Sequence, residues 1–264
     1  MMESMEPNQF NLVYNVLSFS LATMMATTIF CWMSVRSCAQ RYKSALIITG
    51  LVTFIAAYHY MRIFNSWTEA YAWTAEGTLE LTGKPFNDAY RYMDWLLTVP
   101  LLLIEIILVM KLDPAETVSK SVTLGLSSAL MIILGYPGET MLDEAHLSGR
   151  WFWWICAMVP FLYIVNTLLV GLSAATDSES DPKIASLIKK AQVATVLSWC
   201  TYPVVYVFPM LGIQGSNVVI FIQLGYSISD IISKCGVGLL VYNITMAKTA
   251  AIYSASGEKQ SLLA

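Results

Sequence analysis

Apolar residues gather into long runs separated by short polar segments, near 12–35, 44–64, 89–110, 119–137, 151–173, 186–210 and 217–247. A helix needs about 20 mostly apolar residues to cross a bilayer, so the pattern predicts an all-α membrane protein, a bundle of seven transmembrane helices. The connections are short, and the longest, 65–88, is rich in Thr, Glu and Gly and reads as a loop with no room for a second domain. A single domain therefore covers 1–264, with 249–264 expected as a tail beyond the last span. Pro100 and Pro203 fall inside runs, where neighbouring helices re-satisfy the freed carbonyls, so they predict kinks and not breaks.

Composition agrees: 56% of residues are hydrophobic, 12% are charged, and the mean hydropathy is +0.60. A net charge of -3 without any long basic run excludes nucleic-acid binding. Four of the five cysteines, Cys31, Cys156, Cys200 and Cys235, lie in apolar runs and Cys38 just beyond one; they read as small packing residues and not as a disulfide framework. No metal-ligand spacing is visible. The first run exceeds the about 7 to 15 apolar residues of a signal peptide and follows an acidic start, so it is expected as a retained span.

Loop charge predicts orientation, because Lys and Arg stay on the cytoplasmic side. Arg36, Arg41, Lys43, Lys111, Lys120, Lys183, Lys189, Lys190, Lys248 and Lys259 all fall at ends that an outside N-terminus would place inside. The opposite face carries three basic residues, Arg62, Lys84 and Arg150, against nine acidic ones, Glu139, Asp143 and Glu144 among them. The N-terminus is thus expected outside or in a lumen, and the C-terminus in the cytoplasm. Trp67, Trp73 and Trp151 lie near span ends and fit an interfacial belt.

Several ionisable groups lie within the spans. The third helix carries Arg91, Asp94 and Glu105 in RYMDWLLTVPLLLIEI, the last carries Asp230 and Lys234 in SISDIISKCGVG, and the second carries His59 in AAYHYMR. Five unpaired charges in hydrocarbon would cost roughly 12 to 17 kcal/mol, so they must face the bundle interior and one another. Arg91, Asp94 and Thr98 share a helix face, as do Asp230 and Lys234. Glu105 lies three turns beyond Asp94 on the same line, about 16 Å further along the helix.

An ion pair such as Arg91 with Asp94 can be purely architectural, and a lone His59 is more often a satisfied core histidine. Lys234 is harder to explain that way. It is too deep to reach an interface easily and has Asp at i−4, which suits an amine that condenses with an aldehyde and then needs a carboxylate counter-charge from Asp230 or Asp94. Trp95, Trp199 and Tyr202 would wall a slot for a flat apolar ligand, although membrane core packing explains each ring taken singly.

RYMDWLLTVPLLLIE and SDIISKCG resemble the third and seventh helices of microbial rhodopsins, most of all proteorhodopsins, and AYHYMR, GYPGE and SWCTYPVVY extend the likeness over nearly the whole chain. The triplet Asp94, Thr98, Glu105 resembles that of the proton pumps. The resemblance implies all-trans retinal bound covalently at Lys234 as a protonated Schiff base. It makes Asp94 counterion and proton acceptor, Asp230 the second counterion, Arg91 a modulator from the outer side and Glu105 the cytoplasmic proton donor. His59 would hydrogen-bond Asp94, Thr98 would support it, and Trp95, Leu102, Trp199, Tyr202 and Tyr226 would line the retinal, with Leu102 matching the green-absorbing type.

The expected function is light-driven outward proton transport, not enzymatic catalysis. Two other functions stay open at this stage: a photosensory rhodopsin of the same fold, which would not need Glu105, and a seven-helix receptor for a diffusible ligand, which would not need Lys234. The chain lacks an obvious glutamate pair for proton release. Expected partners are protons and the lipid bilayer; a homo-oligomer follows from the resemblance alone, although Gly125, Ser127 and Ser128, read as lipid-facing, would permit close packing.

Overall fold

Three of the long helices begin where the sequence supplies a cap and a proline. In α1 (Pro7–Ser34), Pro7 opens the first turn, and Gln9 Oε1 accepts the Glu6 N–H at 3.1 Å. Asp113 caps α4 (Pro114–Glu139) by accepting the Glu116 N–H at 2.9 Å, and Asp181 caps α7 (Pro182–Val207) by accepting the Lys183 N–H at 2.8 Å. In both, proline follows directly, at the position where a missing N–H costs nothing. The remaining long helices are α2 (Lys43–Ala70), α3 (Ala89–Leu108), α5 (Leu147–Asn166), α8 (Ser216–Asp230) and α9 (Val237–Ser256). A π-helical turn, Thr167–Gly171, leads from α5 to the short α6 (Ser173–Asp177), and another, Ile231–Gly236, fuses α8 and α9 into one rod. The structure is a computed structural model, and it describes residues 5–110, 112–141, 146–177, 179–212 and 215–256.

The seven rods match the seven predicted runs, with shifted ends. Within the expected 249–264 tail, α9 continues to Ser256, and 257–264 lie outside the described residues, as do Lys111, Asp143 and Glu144. The loop expected over 65–88 is corrected too. Helix α2 extends to Ala70, and β1 (Tyr71–Trp73) then pairs antiparallel with β2 (Leu79–Leu81), Tyr71 opposite Leu81, around a turn in which Gly77 takes φ 78°. Strands of three residues are too short to show an alternating pattern. Helices α3, α4, α5 and α7 continue through Pro100, Pro137, Pro160 and Pro203, so Pro100 and Pro203 do not break their spans.

Neighbouring rods pack in sequence, α1 on α2, α2 on α3, α3 on α4, α4 on α5, α5 on α7 and α7 on α8 and α9; α8 returns to α1 and closes the ring. Polarity is arranged inside out. Phe19, Met33, Leu126 and Val159 are 63 to 74% exposed on the outer surface, while Arg91, Asp94, Glu105, Asp230 and Lys234 are at most 1% exposed. Bilayer is the solvent that makes this favourable. Among the described residues, six helices are long and apolar enough to cross a membrane; α3, with Arg91, Asp94 and Glu105 in 20 residues, is the rod left over.

Two expectations about surface residues are corrected. Trp67 is fully buried, stacked on Phe10 at 5.7 Å between ring centroids, because α1 and the hairpin cover it. Ser128 does not face lipid either: it is buried and donates to the Gly125 carbonyl at 2.9 Å, while Gly125 and Ser127 are half-buried.

Candidate functional site

Lys234 sits in the π-helical turn Ile231–Gly236 of the seventh rod, one turn beyond Asp230. π-Turns inside helices are rare and frequently mark functional positions. The Lys234 ammonium donates to Asp94 Oδ2 at 2.7 Å and lies 2.8 Å from Asp230 Oδ1, so α3 and the seventh rod meet around one buried cation. Asp94 and Asp230 both point inward, one from each rod.

The two carboxylates differ in their other partners. Asp230 Oδ1 also accepts from Tyr202 Oη at 2.6 Å and Trp95 Nε1 at 3.1 Å, and its Oδ2 accepts from Tyr60 Oη at 2.8 Å with Arg91 Nη1 3.9 Å away. Both of its oxygens are held. Asp94 Oδ2 receives Lys234, while Asp94 Oδ1 has no hydrogen-bond partner among the described residues. Buried polar atoms are nearly always satisfied, so this open oxygen marks Asp94 as the carboxylate with unused accepting capacity.

A cavity inside the bundle has Lys234 in its lining, and its other walls are almost wholly apolar, the usual character of a small-molecule site. Trp95, Leu102, Trp199, Tyr202 and Tyr226, each singled out from the sequence, line it, with Phe161 and Trp154. Trp95 stands edge-on to both Tyr202 and Tyr226 at 5.1 and 5.0 Å. A long apolar slot ending at one amine, with two carboxylates beside it, can capture an apolar aldehyde and balance the charge of the linkage.

Other expected residues take different roles. Thr98 is buried below Asp94, and its hydroxyl donates to the Asp94 backbone carbonyl at 2.9 Å, not to the carboxylate. His59 lies on α2, 9% exposed; neither its Nδ1 nor Asp94 Oδ1 has a hydrogen-bond partner among the described residues, so the bond expected between His59 and Asp94 does not join these two atoms. Arg91 is bound by Asp88 at 3.0 Å and not by Asp94. Glu105 is fully buried, with the Thr49 hydroxyl beside it.

Sequence reasoning missed three contributors. Tyr60 and Gln223 complete the surroundings of Asp230 and Arg91. Arg150, read as a loop charge, is fully buried at the start of α5, bonded to the carbonyls of Gly138, Glu139 and Tyr206 and 3.3 Å from the Glu139 carboxylate. That carboxylate also accepts from Tyr92 and Tyr226, both of which line the cavity. A signal was present in SGRWFWW, where an arginine runs directly into an aromatic stretch.

Known proteins agree with this architecture. The model of the bacteriorhodopsin-like protein family matches residues 12–248. The green-light absorbing proteorhodopsin of a gamma-proteobacterium, EBAC31A08, is 28% identical over 241 residues, covering 90% of this chain and 88% of its own. The crystal structure of xanthorhodopsin superposes with a TM-score of 0.90 at 37% identity, covering 98% of this chain and all of the other, and that of a thermophilic rhodopsin with 0.89 at 39%, covering 96% and 99%. An inside-out bundle of seven helices, a buried lysine in its last rod and a family match spanning all seven together establish that this chain is an integral membrane protein belonging to the bacteriorhodopsin-like family.

Proposed function

We propose that this chain is a light-driven proton pump that carries all-trans retinal covalently on Lys234 and moves protons outward. Xanthorhodopsin is described as a light-driven ion pump with dual chromophore, and the site here suits a retinal pigment: an apolar, aromatic-walled cavity ends at a buried amine flanked by two carboxylates. Retinal, when bound, supplies absorption of visible light and a change of shape at the Lys234 nitrogen. Trp95, Leu102, Trp199, Tyr202 and Tyr226 hold it in the slot and keep water out.

The observation that carries the reading is the asymmetry of the two carboxylates. Asp230, with donors from Tyr60, Trp95 and Tyr202 on its oxygens, is held as a fixed negative charge. Asp94, with Oδ1 free and Oδ2 2.7 Å from the Lys234 nitrogen, is the group that takes the proton from that nitrogen. Glu105 lies further along α3, fully buried beside the Thr49 hydroxyl and without a salt-bridging cation among the described residues, where an ionised carboxylate would be uncompensated; it waits as the neutral acid and returns a proton to the nitrogen. The Lys and Arg bias of the loops supports an outer N-terminus. With that orientation α3 runs inward, Asp94 faces the exterior and Glu105 the cytoplasm, and net transport is outward.

Light-minus-dark infrared spectra of the retinal-loaded protein test this assignment. A carboxylic-acid carbonyl band should appear on illumination and vanish in Asp94→Asn, together with transport. If the band survives in Asp94→Asn, or is removed by Asp230→Asn while Asp94 is intact, the assignment of the acceptor is wrong.

A further inference from the structure

Arg91 closes a hydrogen-bonded ring with two other side chains, Asp88 and Gln223. Its Nε donates to Asp88 Oδ1 at 3.0 Å and its Nη2 to Gln223 Oε1 at 2.6 Å, while Gln223 Nε2 donates to Asp88 Oδ2 at 2.8 Å. The remaining nitrogen, Nη1, donates to Tyr60 Oη at 3.0 Å and stands 3.9 Å from Asp230 Oδ2, beyond hydrogen-bond range. Gln223 is 2% exposed, and the Asp88 side chain, 24% exposed, reaches the surface at the N-terminal end of α3.

The chemistry of the ring is specific. A glutamine serves at 223 because it offers an acceptor to the guanidinium and a donor to the carboxylate at once. A glutamate would set oxygen against oxygen at Asp88, and an apolar residue would leave both partners unmatched. The only formal negative charge in the ring is at Asp88, and it draws the guanidinium away from Asp230.

We propose that Asp88 and Gln223 are positioning residues that latch Arg91 and keep its guanidinium from closing onto Asp230, so that they set, through Arg91, the negative charge felt at the Lys234 nitrogen. The latch itself stands on the hydrogen-bond ring; its effect on the pigment rests on the retinal reading above.

Complementarity gives a test with shape-preserving variants. Asp88→Asn places an amide N–H against the Gln223 N–H, or turns and loses its acceptor for Arg91. Gln223→Glu places two acceptors in contact. The double variant restores the ring, because the new amide at 88 then donates to the new carboxylate at 223. Thermal unfolding of the full chain before retinal is added should show each single variant melting a few degrees lower and the double variant recovering most of the loss. Additive losses, or none, would overturn the latch.

Visible spectra after retinal addition read the positioning role. Asp88→Asn should shift the absorption maximum to longer wavelength, since the released guanidinium offsets charge on Asp230 that stabilises the cation at Lys234. In an Arg91→Gln background the same substitution should leave the maximum in place. A shift that persists there means that Asp88 acts by its own charge and not through Arg91, and would overturn the positioning role. Failure of the unaltered chain to take up retinal would count against the retinal reading, and the unfolding comparison would still decide the latch.

Discussion

Arg150→Met tests whether the buried cation at the head of α5 holds the bundle together. The Arg150 Nε and Nη2 donate to the Tyr206 carbonyl at 3.1 and 2.8 Å, Nη1 to the carbonyls of Gly138 and Glu139 at 2.9 and 3.1 Å, and the guanidinium lies 4.2 Å from the Tyr206 ring centroid. Methionine fills much of the volume but leaves three carbonyls without these donors and strips the Glu139 carboxylate of its cation. Removing one partner of a buried pair costs about 3 to 5 kcal/mol. Glu139 keeps donors from Tyr92 at 3.2 Å and Tyr226 at 3.3 Å, so the pair term belongs at the low end, about 3 kcal/mol, and the lost ring contact adds about 1 kcal/mol. At roughly 2 to 4 °C per kcal/mol for a chain of this size class, unfolding should occur about 8 to 16 °C lower. Far-ultraviolet circular dichroism during heating measures it. Adding Glu139→Gln, which removes the stranded charge and leaves both tyrosine contacts, should recover part of the loss. A fall of less than about 2 °C, or a double variant no more stable than Arg150→Met, would refute the reasoning.

Lys234→Ala should take up no covalent retinal and show no visible absorption, while the helical content stays near that of the unaltered chain; a coloured Lys234→Ala would remove the assigned attachment point. Glu105→Gln should keep the colour but slow the return of the proton to the Lys234 nitrogen by a factor on the order of 100, the usual contribution of a positioned acid, as read by flash spectroscopy. An unchanged recovery rate would exclude Glu105 as donor.

The rods were legible because a bilayer imposes one length and one polarity on every span, and composition reports both. The inward stripe was legible for a related reason: Arg91, Asp94 and Thr98, and Asp230 with Lys234, repeat at helical spacing, and charges in hydrocarbon have only the interior to face. Trp95, Trp199 and Tyr202 were legible as cavity walls from their places in the spans, Leu102 and Tyr226 from the resemblance, and all five line the slot together with Lys234. Partner identity was not legible. Spacing along one helix suggested Arg91 with Asp94, but the guanidinium turns toward Asp88 in its own first turn and toward Gln223 on a neighbouring rod, a choice fixed by packing between rods distant in sequence. The partners of Arg150 were hidden for the same reason: they are backbone carbonyls that end α4 and the carbonyl of Tyr206 near the end of α7, which no local pattern reveals.

The central claim is tested most directly by the pH of an unbuffered suspension of cells that express this chain and have been given all-trans retinal, followed through cycles of light and dark with and without a protonophore. Outward pumping predicts acidification in light that reverses in the dark and is abolished by the protonophore. A coloured protein that leaves the pH unchanged in light would contradict the pump and favour a photosensory role for the same site.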